Sequence, residues 1–188
     1  MRFWLLVLAL VLAGPLAARA DGGFGLTLGY TFPVYEHLGP SLDIRASQVQ
    51  AALQAAFEIK PKLSLGVLVS VRQHQIAVPA GVSGEYLDAV AVIPVNALAY
   101  YHPLEKMFDP YLVGQIGPVV TNEQYRDGSR LTTRWAVGPM LGFGVGVDLR
   151  LPVSPLLEAR CELGLPAGDR VKNLALCGAT VGILVGFD

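Results

Sequence analysis

The sequence predicts an all-β protein: an eight-stranded antiparallel up-and-down transmembrane β-barrel. Three observations lead there. The chain closes on Leu174–Phe187, with Ala175, Cys177, Ala179, Val181, Ile183, Val185 and Phe187 on one face and Gly178, Thr180, Gly182 and Gly186 on the other. An apolar face backed by a small, polar one suits a strand with lipid outside and a tight, hydrated interior. Hydrophobic residues make up 53% of the chain and charged ones 15%, whereas a soluble domain carries about a quarter charged residues. Yet beyond the N-terminus no segment offers the ~18 continuous apolar residues of a helical span. A closed barrel resolves the conflict, because its backbone groups bond between strands and only alternate residues need be apolar.

The N-terminus points to export. Met1-Arg2 is a basic start, Phe3 to Ala13 an apolar run, and Ala18-Arg19-Ala20 a small-x-small cleavage site. Residues 1–20 read as a secretory signal peptide and residues 21–188 as one barrel domain. Gly14-Pro15 breaks the apolar run, which is short for a ~20-residue anchor. No cysteine stands at the cleavage site, against a lipoprotein. A net charge of −1 argues against nucleic acid as a partner.

Each strand has its own signal. The first, Phe24–Tyr35, alternates Phe24, Leu26, Leu28, Tyr30 and Phe32 with Gly25, Thr27, Gly29 and Thr31. The second, Gln48–Lys60, is rich in Ala and Gln and would also suit a helix. Its unbroken period of 2, with Val49, Ala51, Leu53, Ala55, Phe57 and Ile59 on one face, decides for strand. A tight turn at Lys60-Pro61-Lys62 leads to the third, Lys62–Ile76, with Leu63, Leu65, Val67, Val69 and Val71 outward. The fourth, Tyr86–His102, and the fifth, Pro110–Asn122, carry Pro94 and Pro118, which predict bulges or an irregular ladder. The fifth has the poorest alternation. The sixth, Thr132–Leu151, turns Trp135, Val137, Leu141, Phe143, Val145 and Val147 outward and Gly138, Gly142, Gly144 and Gly146 inward. The seventh, Leu156–Leu165, puts Leu157, Ala159, Cys161, Leu163 and Leu165 outward. The closing strand is the eighth. Connections run alternately long (36–47, 77–85, 123–131 and 166–170) and short, as in barrels with outer loops and periplasmic turns. The even count puts both ends of the chain on the periplasmic side.

The opening Gly25-Leu26-Thr27-Leu28-Gly29-Tyr30, the central Pro94-Val95-Asn96-Ala97-Leu98-Ala99-Tyr100-Tyr101-His102 with Asp109-Pro110-Tyr111-Leu112-Val113-Gly114, and the closing strand resemble the small outer-membrane barrels of Gram-negative bacteria. These are the OmpA, OmpX and OmpW group, and the central stretch is most like the OmpW type. Asp188 after the final aromatic departs from the family's C-terminal signal. The resemblance implies a place in the bacterial outer membrane, contact with its lipid and lipopolysaccharide, and handling by the barrel-assembly machinery. For the OmpW type it also implies passage of small hydrophobic solutes through an apolar lumen with a lateral opening. The proline-bearing strands are where such an opening would form, and inward Leu68, Val90, Val92 and Leu98 make part of the lumen apolar.

Cys161 and Cys177 in an exported chain make a disulfide the default reading. A hairpin centred near Asp169 sets them opposite each other, with Ala159 facing Ala179 and Leu163 facing Ala175; free lipid-facing thiols are the alternative. The inward charged set is Glu58, Arg72, His74, Asp88, Arg134, Asp148, Arg150, Glu158, Arg160 and Glu162. It reads as a solute path or, better for a lumen only as wide as its side chains, as an internal ion-pair network. Tyr30, Phe32, Tyr101, Trp135 and Phe187 are placed to sit at the membrane interfaces.

No cofactor or metal is indicated. Of His37, His74 and His102, only His74 is placed to meet Ser70 or Asp88, and no clear catalytic triad emerges. The leading expectation is a non-enzymatic barrel, structural or passing small molecules. An adhesion barrel of OmpX type and a lipid A-modifying enzyme are the alternatives. A soluble lipocalin-like barrel is disfavoured by the apolar exterior.

Overall fold

The computed structural model describes residues 22–36, 43–44, 48–77, 84–104, 107–149, 151–168, 171 and 173–187. The signal peptide expected at 1–20 lies outside the described residues, as does His37. Eight long strands form the wall: β1 (Gly22–Glu36), β2 (Gln48–Lys60), β3 (Leu63–Ala77), β4 (Tyr86–Tyr101), β5 (Phe108–Asp127), β6 (Arg130–Leu149), β7 (Val153–Gly164) and β8 (Leu174–Phe187). A two-residue strand, Asp43–Ile44, adds to β3 at Ala77 and Ile76. Every long strand pairs antiparallel with its sequence neighbours, and β8 returns to β1 from Gly22↔Phe187 to Glu36↔Leu174. The sheet therefore closes on itself, and the last strand leaves no open edge.

Alternation decides which side of the wall each residue faces. On β1, Leu26, Leu28, Tyr30 and Phe32 are exposed, while Thr27 and Thr31 are buried. On β6, Trp135, Val137, Leu141, Phe143 and Val145 are exposed and Met140 is buried. An exterior so uniformly apolar is stable facing lipid and would aggregate in water. The closed antiparallel all-β barrel expected from the sequence is the fold observed.

Two expectations about the wall are corrected. The connection expected at 123–131 is a tight turn: β5 and β6 pair without interruption from Phe108↔Leu149 to Asp127↔Arg130. Gly128 takes φ 54° there, a left-handed conformation that glycine reaches without steric cost. The Gly128-Ser129 pair, glycine first between paired Asp127 and Arg130, was the available hairpin signal. The prolines give the irregular ladder expected of them, and the second correction is to the bulge and the opening. A proline cannot donate to a ladder. The β3–β4 ladder lapses between Val69↔Val95 and Arg72↔Val92, and the β4–β5 ladder between Pro94↔Val119 and Ala97↔Ile116. Register is the same on both sides of each lapse, and β5–β6 runs unbroken through Pro118↔Pro139. Pro118 carries no bulge, and the wall stays closed at the place where a lateral opening was expected.

Candidate functional site

The interior is the site to be judged, since it decides whether anything can pass. At the end where both terminal strands start and finish, the barrel encloses a vestibule of about 490 Å³. Glu58, Ser64, Tyr100, His102, Tyr111, Asp148 and Ser154 are among its lining residues. His102 Nδ1 lies 2.9 Å from a buried Asp109 carboxylate oxygen. Tyr100 and Tyr111 meet edge to face at 5.5 Å between ring centres and close the vestibule on its inner side.

Beyond them lies a polar layer. Arg160, at the centre, donates to Glu158 (2.8 Å), Gln115 (3.0 Å), Gln54 (3.4 Å) and the Tyr100 hydroxyl (3.4 Å). The Tyr111 hydroxyl donates to Glu158 at 2.9 Å, and Gln115 Nε2 donates to Glu162 at 2.6 Å. Arg72 forms an ion pair with Glu162. All four charged groups are buried, and each finds its opposite, as buried charges must. The glycines of β6 leave the space for this. A Cβ on Gly142 would come within 2.6 Å of Gln115 Nε2, and one on Gly146 would overlap the Tyr111 ring.

The half of the lumen toward the longer connections is filled with apolar side chains. Val90, Val92, Val119, Met140, Leu174 and Leu176 pack together with Ile76, Leu87 and Tyr125. Val92 and Val119 are wholly inaccessible. The segment after β7 folds inward over this cluster: buried Val171 joins it, and its N–H donates to Glu123 at 3.1 Å. Glu123 also accepts from the Tyr125 hydroxyl, and the Arg134 guanidinium sits 4.5 Å from the centre of the Tyr125 ring.

The inward charged residues thus divide by height. Arg72, Glu158, Arg160 and Glu162 form the central network. Glu58 and Asp148 line the vestibule. His74 is buried, and among the described residues neither ring nitrogen hydrogen-bonds; it does not meet Ser70, and Asp88 is engaged elsewhere. Asp88 and Arg134 are corrected from lumen to rim. The register shift between Leu87 and Ala89 turns Leu87 inward. Asp88 lies at the shift and pairs with exposed Arg126 at 2.9 Å. That hydrogen bond and charge raise the Arg126 pKa above the usual guanidinium value. Arg134 pairs with Glu85 at 3.2 Å, both well exposed. The Arg150 side chain lies outside the described residues. Tyr30, Phe32, Tyr101 and Trp135 are exposed on the outer face, whereas the Phe187 side chain lies outside the described residues.

Cys161 and Cys177 face each other across β7 and β8 in the expected register. They are joined as a disulfide, Sγ–Sγ 2.07 Å and Cα–Cα 4.1 Å. Gln54, Gln115, Tyr100 and Tyr111 were missed as members of the network. Their inward parity and long polar side chains are the signal in the sequence, although none of the four carries a charge. The inward fold of Val171 left no pattern to read.

No protein-family model and no curated protein matches the sequence. Solved structures do match the fold. Neisserial surface protein A is 16% identical with a TM-score of 0.60, covering 90% of this chain and 98% of that one. Ail, the attachment invasion locus protein of Yersinia pestis, is 16% identical with a TM-score of 0.57, covering 89% and 99%. A major outer membrane protein from Thermus thermophilus is 12% identical with a TM-score of 0.58, covering 90% and 100%. With its closed sheet and lipid-facing exterior, the chain has the architecture of the small bacterial outer-membrane β-barrels.

Proposed function

We propose that this protein is a non-enzymatic outer-membrane barrel whose axis is sealed, so that its role is structural or exerted at its surface. The observation that carries this reading is the double seal. The Arg72–Glu162 and Arg160–Glu158 pairs block the middle of the lumen, and the Val92–Val119–Met140 cluster fills the part beyond. Within the polar layer, a cavity lined by Arg72, Arg160 and Glu162 measures about 10 Å³, room for about one water. A passage for small hydrophobic solutes fits this interior poorly. The apolar residues expected to line such a passage, Leu68, Val90, Val92 and Leu98, are packed against one another or their neighbours.

Planar-bilayer recording tests the proposal. Purified barrel reconstituted at high density is expected to give no steady conductance and no sugar-driven liposome swelling. Stable unitary currents in the unmodified protein would overturn it.

A second reading, surface attachment, is favoured by one observation. β5 and β6 each have 20 residues, whereas β7 has 12. At ~3.3 Å per residue and a tilt of about 40°, strands of 20 residues rise about 50 Å, twice the ~25 Å apolar band. The excess lies on the side of the Gly128 turn and carries Arg126, Arg130 and Arg134.

A further inference from the structure

We propose that the Cys161–Cys177 bond is made in the periplasm before the last hairpin enters the membrane. The barrel then receives β7 and β8 as one covalently registered unit. This rests on the outer-membrane reading above.

Access is the argument. Both cysteines point outward from the wall, level with Phe143 on one side and Phe32 on the other. Phe143 and Phe32 are 69% and 52% exposed on the outer face. Leu163 and Ala175 flank the bond along the strands on one side, Ala159 and Ala179 on the other. In the inserted barrel the sulfurs are therefore surrounded by lipid-facing apolar side chains. Thiol–disulfide exchange needs a thiolate and a direct approach to sulfur; lipid packed against this apolar face, at the level expected of Phe32, disfavours the first and obstructs a water-soluble partner from the second. The lumen offers no other route, since the inward residues beside the cysteines, Arg160, Glu162 and Leu176, are buried in the seal.

The chemistry is ordinary exchange with an oxidant of the disulfide class, an exported oxidoreductase. One cysteine thiolate attacks the oxidant's disulfide and expels one of its thiolates. The second cysteine, as thiolate, then attacks the mixed disulfide and expels the other. The chain gives up two electrons and two protons, and the oxidant's disulfide becomes a dithiol. The sequence separation is only 16, so the two cysteines meet readily in an unfolded chain. Once joined, they forbid every β7–β8 register except the one that turns Leu157, Leu163, Val181 and Ile183 to lipid, because a one-residue slip would invert both faces.

Two experiments test this. In cells, newly made chain is trapped with a maleimide at intervals after synthesis and run without reductant. The bond is expected in chain that has not yet reached the folded, gel-shifted form; free thiols persisting until after folding would overturn the proposal. In vitro, reduced and oxidised chains are diluted from urea into phospholipid vesicles, then exposed to excess glutathione disulfide. Reduced barrel that inserts is expected to keep both thiols free at least tenfold longer than chain left in urea, and insertion by the oxidised chain alone supports the proposal equally. Oxidation of inserted barrel at the rate seen in urea would overturn it. If neither chain inserts, the membrane reading itself fails, and protease protection shows that separately.

Discussion

Arg160 holds the central layer together. Its guanidinium reaches Glu158, Gln115, Gln54 and Tyr100, and no other described side chain has so many partners in that layer. Replacing it by Met keeps the stem and removes the charge, which leaves Glu158 buried without its ion-pair partner. Such a loss costs about 3–5 kcal/mol. Arg160→Met is expected to lower the unfolding free energy by that amount, read as a lower urea midpoint in a reconstituted unfolding titration. Adding Glu158→Gln should recover part of it, because the stranded charge is gone. An unchanged midpoint in the single variant would show that the layer contributes nothing to stability. At this scale the sequence was only partly legible. Parity placed Arg72, Glu158, Arg160 and Glu162 inward, where they pair. It misplaced Asp88, because a single-residue shift between Leu87 and Ala89 cannot be read from alternation alone. It misplaced Arg134 for a different reason: the parity was right, but β6 runs on past the lumen to the rim.

The strands were easier to read than their ends. Gln48–Lys60 and Leu174–Phe187 stand at their expected bounds because period-2 alternation begins and ends sharply there. β5 is longer at both ends than expected. Its outward face carries Gly114 and Pro118 and its inward face Val113 and Val119, so hydrophobicity does not separate the two sides. Pairing with β6 determines where it stops, and pairing is not a local property. The hairpin these strands form gives a prediction of its own. Trp135 is the single tryptophan after Trp4, and it is 63% exposed on the outer face of β6. If the hairpin crosses the interface there, brominated lipids with bromine near the headgroups should quench its fluorescence more than lipids brominated near the chain ends. Stronger quenching from the chain ends would mean that the hairpin sits deeper and rises less beyond the membrane.

For the molecule as a whole, the two seals act in series. The polar layer and the apolar cluster occupy different heights, so opening one leaves the other shut. Removing the Arg72–Glu162 pair with Arg72→Ala and Glu162→Ala is expected to leave bilayer conductance at the unmodified level. Adding Val92→Gly, Val119→Gly and Met140→Ala should produce measurable current. Current from the first pair alone would show that the cluster around Val92 does not close the lumen. Gel-shift of each variant confirms that a barrel is being recorded. This arrangement was half visible beforehand: a narrow eight-stranded wall implies a filled interior, but which side chains meet inside depends on stagger around the closed sheet.

The vestibule makes the molecule a cup rather than a tube. Polar solvent from one side can reach in as far as Tyr100 and Tyr111, while the rest of the height stays nearly dry. A voltage across the membrane would then fall mostly over the dry part, the thickness between those rings and the rim. The Arg160 and Arg72 layer lies at the start of that steep drop. The buried charges feel a stronger field than they would in a uniformly packed barrel of the same height.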